Sequence, residues 1–309
     1  MTVVERPSHR HPSPPDTSIL GAIGNTPLLL VDGVWAKAEF LNPSGSIKAR
    51  IALYMIERAE REGLLVPGDT IVEASSGNTG NAMSMVAAAK GYHMVVVMPE
   101  GMSRERTAIS RAFGAEVRLV GDFHVTDALA ECRRLGAHPG WFAPQQFDNE
   151  WNVQENREWL GAEILRQLPA GVLPDAVVGG IGTGGTIVGV GQALQAANPA
   201  CRVVALEPDE SCTIVCGEVC SHLIEGIADG FVPGIVKRHA ADIDEFVAVS
   251  GAEAVAEMRR LARHEGLFVG PSSGAHLVAA RRLRERGCDT VVTFLCDEGE
   301  KYIDDHWMD

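Results

Sequence analysis

The sequence has no apolar run long enough to cross a membrane, and its N-terminus lacks the apolar core of a signal peptide. Its seven cysteines are odd in number and scattered, so they imply no disulfide framework. Basic residues are few: 27 Lys and Arg against 41 Asp and Glu give a net charge of −14. An acidic surface argues against nucleic acid or an anionic membrane as a partner. These absences predict a cytoplasmic protein in a reducing compartment.

What the sequence does contain is an alternation of strand-like and helix-like segments. The first 18 residues, rich in Pro, Ser and His, are predicted to be a disordered lead-in. Further on, short Val- and Ile-rich runs alternate with longer amphipathic ones, in two blocks separated by a break around residues 144–156. The predicted strands are Thr70–Glu73, His93–Met98, Glu116–Val120, Asp175–Val178, Arg202–Leu206 and Thr290–Leu295. The predicted helices are Asn81–Lys90, Arg104–Phe113, Thr126–Leu135, Thr186–Ala197, Ala252–His264 and Ala275–Arg286. Two such blocks predict two α/β domains with parallel sheets and a ligand at the carboxyl ends of the strands.

A glycine-rich loop, residues 180–186 (GIGTGGT), follows a predicted strand and opens a helix. Its backbone N–H groups would converge on an anion, and Thr183 and Thr186 add hydroxyl donors suited to a phosphate monoester. The loop also fits G-x-G-x-x-G, and Glu207 ends the next strand where a ribose-binding acid belongs. An NAD-binding oxidoreductase is therefore a rival interpretation, although the unit lies in mid-chain behind a complete α/β block.

Two further loops join a strand to a helix. Residues 270–274 (GPSSG) match the G-x-S-x-G nucleophile elbow, and Asp297 and His306 follow in the order of α/β-hydrolases. A serine hydrolase is thus a second rival, but few residues remain after Ser272 for the usual strands and helices. Residues 75–80 (SSGNTG) combine short polar side chains with two glycines, which suits them to surround a carboxylate.

One lysine has an unusual position. Residues 42–46 predict a turn and N-cap, and the helix that follows has a buried stripe formed by Ile47, Ile51 and Met55. Lys48 lies in the first turn of this helix, where the helix dipole disfavours a cation. An amine held there is suited to attack a carbonyl and to act later as a base. Taken alone, the position also fits an ordinary solvent-facing lysine, which is the commoner case.

Six motifs taken together resemble a known family. The motifs NPSGSIKAR (42–50), SSGNTG (75–80), GTGGT (182–186) and GPSSGA (270–275) are bracketed by Ile23–Leu28 and Asp297–Tyr302. They occur in the order seen in cysteine synthases and cystathionine β-synthases, and the resemblance covers nearly the whole chain after residue 18. It implies a fold type II pyridoxal-phosphate enzyme, tryptophan synthase β-like, with two α/β domains, mostly parallel sheets and the cofactor in the interdomain cleft. The smaller domain would span residues 36–150, and the larger one residues 19–35 and 151–309.

The resemblance also implies a role for each matched position. Lys48 would form the Schiff base with pyridoxal 5′-phosphate and act as the catalytic base. Asn78 would bind the ring 3′-oxygen, and Ser272 would face the pyridine nitrogen. The cofactor phosphate would be held by Gly182, Thr183, Gly184, Gly185 and Thr186. The substrate carboxylate would be bound by Ser75, Ser76, Gly77, Thr79 and Gln146.

The implied reaction is β-replacement, which makes the chain an enzyme of the transferase or lyase type. An O-activated serine, O-acetylserine or O-phosphoserine, would lose its β-substituent to leave an aminoacrylate, to which sulfide or another nucleophile adds. A hydroxyl at the ring nitrogen, instead of a carboxylate, favours such elimination over transamination. Two alternatives stay open: a β-eliminating serine or threonine dehydratase-like enzyme, and a homologue that only binds a partner. The family further implies an amino-acid substrate, a homodimer and a place in cysteine biosynthesis.

Two stretches depart from the family pattern. Residues 224–231 resemble a GIG-type segment near the cofactor but carry Ala228 and Asp229. Gly226 and Asp229 are therefore possible pocket residues, and Asp229 either steers the incoming nucleophile or faces solvent. Residues 152–162 (NVQENREWLGA) lie near the expected substrate mouth, so their departure points to an unusual donor or nucleophile.

Cys212, Cys216 and Cys220 recur every four residues and would line one face of a helix. Metal sites commonly use closer pairs such as C-x-x-C, and no fitting fourth ligand is obvious. The pattern predicts buried structural thiols and no metal site.

Overall fold

The computed structural model describes residues 17–75, 77–100, 104–121 and 125–307. The strands among them are β1 (Leu28–Val31), β2 (Val34–Ala38), β3 (Thr70–Ala74), β4 (His93–Pro99), β5 (Glu116–Val120), β6 (Trp141–Phe142), β7 (Ala176–Gly180), β8 (Arg202–Pro208), β9 (Glu245–Val249) and β10 (Val291–Leu295). The α-helices are α1 (Lys48–Arg61), α2 (Asn78–Lys90), α3 (Arg104–Ala112), α4 (Val125–Gly136), α5 (Glu150–Glu155), α6 (Ala162–Gln167), α7 (Gly185–Ala197), α8 (Gly234–Arg238), α9 (Gly251–Arg260) and α10 (Pro271–Glu285).

Shorter helical pieces complete the chain. Single 3₁₀ turns lie at Ile19–Ala22, Glu39–Leu41, Ala240–Asp242 and Gly299–Tyr302, and π-helical turns at Asn156–Gly161, Leu261–Glu265 and Ile303–Trp307. No helix within the described residues is both long and apolar enough to span a membrane. The predicted lead-in lies outside the described residues except for Thr17 and Ser18, and the Ser18 hydroxyl caps the first turn by accepting from Leu20 N.

The larger sheet has six strands in the order β1-β2-β10-β7-β8-β9. All neighbours are parallel except β1 and β2, which form an antiparallel hairpin. The central strands β10, β7 and β8 are mostly apolar and almost entirely buried because helices cover both faces of the sheet. In β7, Val177 packs with α7 residues on one face, whereas Val178 packs with α10 residues on the other.

The smaller sheet has four parallel strands in the order β5-β4-β3-β6. Successive residues of β3 alternate between its faces, as the pleat requires. Ile71 joins a core with α1 and α2, and Val72 joins a second core with α4. The predicted α/β class with mostly parallel sheets is therefore confirmed.

The boundaries of the predicted domains follow the two sheets in outline. The smaller sheet lies within residues 70–142, and the larger sheet takes strands from both ends of the chain. Residue 36 falls inside β2, whose residues 35–38 pair with β10 in the larger sheet. We keep the division into two domains as a proposal, with its first boundary after β2.

The predicted break at residues 144–156 is wrong in its second half. Asn149 caps α5 by accepting the N–H of Trp151 at 2.9 Å, and helical backbone continues through the π-helical turn and α6 to Gln167. An asparagine N-cap followed by Glu150 in the first turn is a regular helix start.

The prediction for the three cysteines is also wrong. They lie in an irregular loop after β8, where Cys212 is half-buried and both Cys216 and Cys220 are exposed. The Glu207 carboxylate accepts from the backbone N–H groups of Ile214 and Val215 in this loop. One tight turn joins Cys212 and Cys216, and no helix continues from it to Cys220.

Candidate active site

A cleft of about 1010 Å³, counted with the solvent at its mouth, lies where strands of both sheets end. The loops after β3, β7 and β10 all open into it, as expected at the carboxyl edge of parallel sheets. The predicted residues that line it are Lys48, Ser75, Gly77, Asn78, Thr79, Gln146, Gly182, Thr183, Gly184, Thr186, Gly226, Asp229 and Ser272. Of the other two, Ser76 lies outside the described residues, and Gly185 is the first residue of α7 behind the cleft wall.

The loop between β7 and α7 is shaped by close approaches that exclude side chains. A Cβ at Gly182 would lie 2.6 Å from the Gly226 carbonyl oxygen, and one at Gly185 would lie 2.1 Å from Asn152 Oδ1. Gly184, at φ +87°, has the left-handed backbone that ends the loop and starts the helix. The first intrahelical bond runs from Val188 N to Gly184 O, so the N–H groups of residues 186 and 187 have no intrahelical acceptor and are left for another one.

Thr183 is held in this loop by Asn152, a residue of the divergent stretch. Asn152 Nδ2 donates to Thr183 Oγ1 at 2.9 Å and to the carbonyl oxygen of Gln146 at 2.9 Å. Gly185 N donates to the same Thr183 hydroxyl at 3.3 Å. The hydroxyl oxygen accepts both bonds, which leaves its proton available for an anion in the cleft. Asn152 was not among the predicted site residues.

Lys48 begins α1, as predicted, and the stripe of Ile47, Ile51 and Met55 is buried. The turn that precedes Lys48 is hydrogen-bonded to residues at and after the end of β10. Ile47 N donates to Cys296 O at 2.8 Å, and Lys301 Nζ donates to the carbonyl oxygens of residues 44 and 45, both at 3.0 Å. The starting point of the Lys48 side chain is therefore fixed by tertiary contacts.

The loop after β3 and Gln146 form one hydrogen-bonded unit. Ser75 Oγ accepts from Gly77 N at 3.0 Å and from Gly80 N at 2.9 Å. Thr79 Oγ1 donates to Gln146 Oε1 at 2.6 Å, and Gln146 Nε2 donates to the carbonyl oxygen of residue 74 at 3.0 Å. Two segments far apart in sequence thus present polar groups at one place.

Asn78 contacts a carboxylate that was not predicted as a site residue. Asn78 Nδ2 donates to Asp297 Oδ2 at 2.6 Å, and the Tyr302 hydroxyl donates to the same oxygen. Asp297 is buried, and its Oδ1 has no partner among the described residues. This arrangement fixes the amide of Asn78, because the nitrogen must face the carboxylate. In the sequence, the available sign that Asp297 and Tyr302 belong to the site was their place in the bracketing motif 297–302.

His276 is a further residue that the sequence did not reveal. Gly180 N donates to its Nε2 at 2.7 Å, and its Nδ1 lies 2.9 Å from Phe294 O. Since a carbonyl only accepts, Nδ1 carries the proton and the ring is neutral. Burial lowers the pKa of His276 to about 4. The ring joins the ends of β7 and β10 to α10, one turn beyond Ser272.

A buried charge cluster lies under α1. The Arg50 guanidinium donates to Glu39 at 2.7 and 2.8 Å and to Glu163 at 2.8 and 3.0 Å, and Lys37 also donates to Glu163. Burial alone would raise the pKa of Glu163, but the hydrogen bonds and charges of Arg50 and Lys37 outweigh it and lower the pKa to about 2. The cluster anchors the helix that starts at Lys48 to β2 and α6.

Comparison with known proteins places the chain. The family model for "Pyridoxal-phosphate dependent enzyme" matches residues 19–297. The chain belongs to this family. A cysteine synthase from Staphylococcus aureus is 42% identical over 300 residues, covering 94% of this chain and 96% of the relative. The O-ureido-L-serine synthase of Streptomyces lavendulae is also 42% identical, covering 93% of this chain and 90% of the relative.

Solved structures agree with this assignment. The crystal structure of an O-ureido-L-serine synthase has a TM-score of 0.86 at 41% identity, covering 94% of both chains. That of an O-acetylserine dependent cystathionine β-synthase from Helicobacter pylori has a TM-score of 0.88 at 33% identity, covering 94% of this chain and 99% of the other. The predicted family, fold type II and the pyridoxal-phosphate cofactor are thereby confirmed, and the dinucleotide and hydrolase interpretations are not supported.

The residues of the cleft fit this cofactor. A phosphate needs converging N–H and hydroxyl donors, and the start of α7 offers both, with Thr183 and Thr186 beside it. Side chains at Gly182 or Gly185 would collide with Gly226 or Asn152, so the close packing of this loop requires glycine at both positions. Ser272 lies in the first turn of α10, where the positive end of the helix dipole disfavours a second positive charge. A neutral ring nitrogen is the form that suits this environment.

Proposed function

We propose that this chain catalyses β-replacement on an O-activated serine, with pyridoxal phosphate as its cofactor. The names of the relatives support this reaction, since they are a cysteine synthase, an O-ureido-L-serine synthase and an O-acetylserine dependent cystathionine β-synthase. The observation that carries the proposal is the meeting of three groups in one cleft. These are Lys48, the phosphate cradle at 182–186 and the polar unit made by residues 75–80 with Gln146.

Lys48 is proposed as the residue that holds the cofactor and moves the proton. Bound in the cleft, pyridoxal phosphate would supply an electron sink for negative charge at the α-carbon of the substrate. Lys48 Nζ would remove the proton from that carbon and later return it. The turn at residues 44–47, held by its hydrogen bonds to residues 296 and 301, would keep the Lys48 amine within reach of one face of the substrate.

The polar unit at residues 75–80 is proposed to bind the substrate carboxylate. The Ser75 hydroxyl accepts two backbone bonds, so its own proton is free to be donated. Gln146 Nε2 has a second N–H beyond the one given to residue 74. Thr79 orients that amide, and the N-terminus of α2 adds a favourable dipole for an anion. We keep Ser76 and Gly77 in the proposed set, as the family resemblance implies.

Asp229 is proposed to act on the incoming nucleophile. It lines the cleft, and it follows Gly226 and Ala228 in the segment packed against the phosphate cradle. A carboxylate there would accept a proton from a neutral nucleophile. In Asp229→Asn, we expect kcat/KM for the nucleophile to fall at least tenfold while the affinity for the amino-acid donor stays the same. Equal losses for both substrates would contradict this role.

The decisive experiment combines a substrate panel with product analysis. The purified holoenzyme is given O-acetylserine or O-phosphoserine, each with sulfide or hydroxyurea, and the amino-acid products are separated by chromatography. We expect a β-substituted alanine as the main product and its loss in Lys48→Ala. A keto acid and ammonia in place of that product would support the dehydratase-like alternative.

Covalent trapping tests the cofactor assignment independently of turnover. Reduction with borohydride should attach the cofactor irreversibly to the peptide that contains Lys48 in the wild type, and to no peptide in Lys48→Ala. Attachment at another lysine would contradict the proposed site. If the cofactor attaches at Lys48 but no donor is turned over, the protein would instead be a homologue that only binds a partner.

The homodimer remains a proposal that rests on the family resemblance, and the cytoplasmic location one that rests on the composition of the sequence. Sedimentation equilibrium of the purified holoenzyme would test the first, with a mass twice that of the 33.0 kDa chain as the expected result. A mass equal to that of one chain would contradict it.

A further inference from the structure

The three cysteines of the loop after β8 have no part in the proposed reaction, yet two of them are placed together. The loop follows Glu207 and Pro208 at the end of β8 and leads directly into the segment 225–229 that lines the cleft. Cys132, Cys201 and Cys288 are buried, Cys212 and Cys296 are half-buried, and Cys216 and Cys220 are exposed. Oxidants in solution therefore meet Cys216 and Cys220, both in this loop, before the other cysteines.

Cys212 and Cys216 are joined by a tight turn. Cys216 N donates to Cys212 O at 3.0 Å, which closes one helix-like turn of the backbone. Cα atoms one such turn apart are about 6 Å from each other, inside the range of roughly 4.4–6.8 Å that disulfides span. The Cys216 side chain is close enough to Cys212 to raise the pKa of its thiol. Cys220 is held differently, because its backbone N–H donates to Ser211 Oγ at 3.2 Å.

The surroundings give the two thiols different chemistry. Cys212 Sγ lies 3.8 Å from Oε2 of the buried Glu207, and the same carboxylate accepts from the N–H groups of Ile214 and Val215. The pKa of Cys212 is raised to about 11, first by the Cys216 side chain and then by partial burial and the Glu207 charge. Cys212 therefore keeps its proton at neutral pH, which leaves the exposed Cys216 as the sulfur that reacts first.

We propose that Cys212 and Cys216 form an oxidative modification site that closes to an intramolecular disulfide on exposure to a hydroperoxide. Cys216 sulfur attacks a peroxide oxygen, the O–O bond breaks, and one water leaves when hydrogen peroxide is the oxidant, giving a sulfenic acid. Cys212 sulfur then attacks Cys216 sulfur, the S–O bond breaks, and a second water leaves. The two sulfurs lose two electrons and two protons in total, and the peroxide takes up both. Thiols in solution reverse the reaction by exchange.

Closure of the pair would restrain the wall of the cleft. His222 follows the cysteines and its Nε2 contacts the carbonyl oxygen of Ala228 at 3.3 Å, while Ile224 N donates to its Nδ1. The loop therefore has a direct polar link to the cleft segment. The proposal concerns this loop alone and does not depend on the proposed function.

The test is a thiol count with the pairing mapped by proteolysis. The holoenzyme is exposed to limiting hydrogen peroxide, and the remaining thiols are blocked with an alkylating reagent. We expect loss of two of the seven thiols, restored by a reducing agent. Cleavage after glutamate separates residues 211–218, which contain both members of the pair, from residues 219–225, which contain Cys220. The expected disulfide makes peptide 211–218 lighter by two hydrogens and leaves 219–225 fully alkylated.

Three variants sharpen the result. Cys220→Ser is the matched control and should close at the wild-type rate, whereas Cys212→Ser and Cys216→Ser should form no disulfide in this loop. In Cys212→Ser the sulfenic acid at Cys216 should persist and be trapped by dimedone. A cross-link between peptides 211–218 and 219–225, or first oxidation at any of the other cysteines, would overturn the proposal.

Discussion

Replacement of Glu155 by glutamine should stabilise the protein, and increasingly so as the pH rises. Glu155 ends α5 and is fully buried, and neither carboxyl oxygen has a hydrogen-bond partner among the described residues. Burial raises its pKa to about 8, although Arg50 acts in the opposite direction. The folded protein therefore holds this carboxyl protonated at neutral pH, whereas the unfolded chain ionises it near the ordinary value of 4.5.

The size of the effect follows from proton linkage. Between these two pKa values the native state binds one more proton than the unfolded state, so the free energy of unfolding falls by about 1.4 kcal/mol per pH unit. The contribution of protonated Glu155 to the free energy of unfolding is complete below pH 4.5 and is lost as the pH rises towards 8. Glutamine has nearly the same shape as protonated glutamate, but its amide does not titrate in this pH range. The stability of Glu155→Gln relative to the wild type should thus rise by about 3 kcal/mol between about pH 5 and about pH 7.5.

The assay is denaturant unfolding followed by tryptophan fluorescence at several pH values, with the cofactor held at one concentration. Glu158→Gln is the matched control, because Glu158 lies on the same helical run but is exposed. Its stability relative to the wild type should not change with pH over this range. The free energies of unfolding of Glu155→Gln and the wild type could also differ by an amount that does not depend on pH. In that case the Glu155 carboxyl is solvated or already ionised, and the reasoning from burial is refuted.

Three other changes test the surroundings of the site. Arg50→Leu leaves the buried Glu39 and Glu163 without their guanidinium, and should lower the free energy of unfolding by about 3–5 kcal/mol in the same assay. Because the pKa of Glu163 lies at about 2, its ionised form contributes to the free energy of unfolding above pH 4.5, and this contribution should fade as the pH drops towards 2. The wild type should therefore lose stability over this acid range, and Arg50→Leu should lose less. Thr79→Val removes the hydroxyl that orients Gln146, and should raise KM for the amino-acid donor about tenfold with little change in kcat; a loss confined to kcat would contradict its assignment to carboxylate binding. Ala228 has φ +53°, so Ala228→Gly should raise the melting temperature through relief of about 1 kcal/mol of strain, and a lowered melting temperature would argue against that strain.

Sequence patterns predicted the parts of this protein that depend on local chemistry. The predicted limits of β3, β4, β5, β7, β8 and β10 differ from the structure by few residues. All of these strands except the half-buried edge strand β5 have apolar runs that fit burial on both faces. The strands β1, β2, β6 and β9 were missed. The first two form a short hairpin at the edge of a sheet, β6 has only two residues, and the exposed and half-buried residues of β9 give no clear period. The start of α1 at Lys48 was predicted because its turn and buried stripe are both local.

The predicted site residues were brought together as far as the structure describes them, but their partners were not foreseen. Asn152, Asp297 and His276 hold the predicted residues through bonds that cross 31 to 219 positions of the chain. No local pattern records such pairs, because each depends on which strand ends become neighbours. The buried ion cluster around Arg50 has the same origin, since Glu39 lies 11 positions before Arg50 and Glu163 lies 113 positions after it.

By itself, the sequence determined the family, the α/β class and the cofactor, and it predicted a set of glycines, hydroxyls and one lysine of which nearly all line the cleft. Backbone propensity and short motifs carry this information, because glycine at a close approach and a lysine at a helix start are local requirements. Tertiary structure alone decided which carboxyls are buried and protonated, which amide faces Asp297, and that three evenly spaced cysteines lie in an exposed loop. These properties depend on desolvation and on contacts between distant segments, which exist only once the two sheets have assembled.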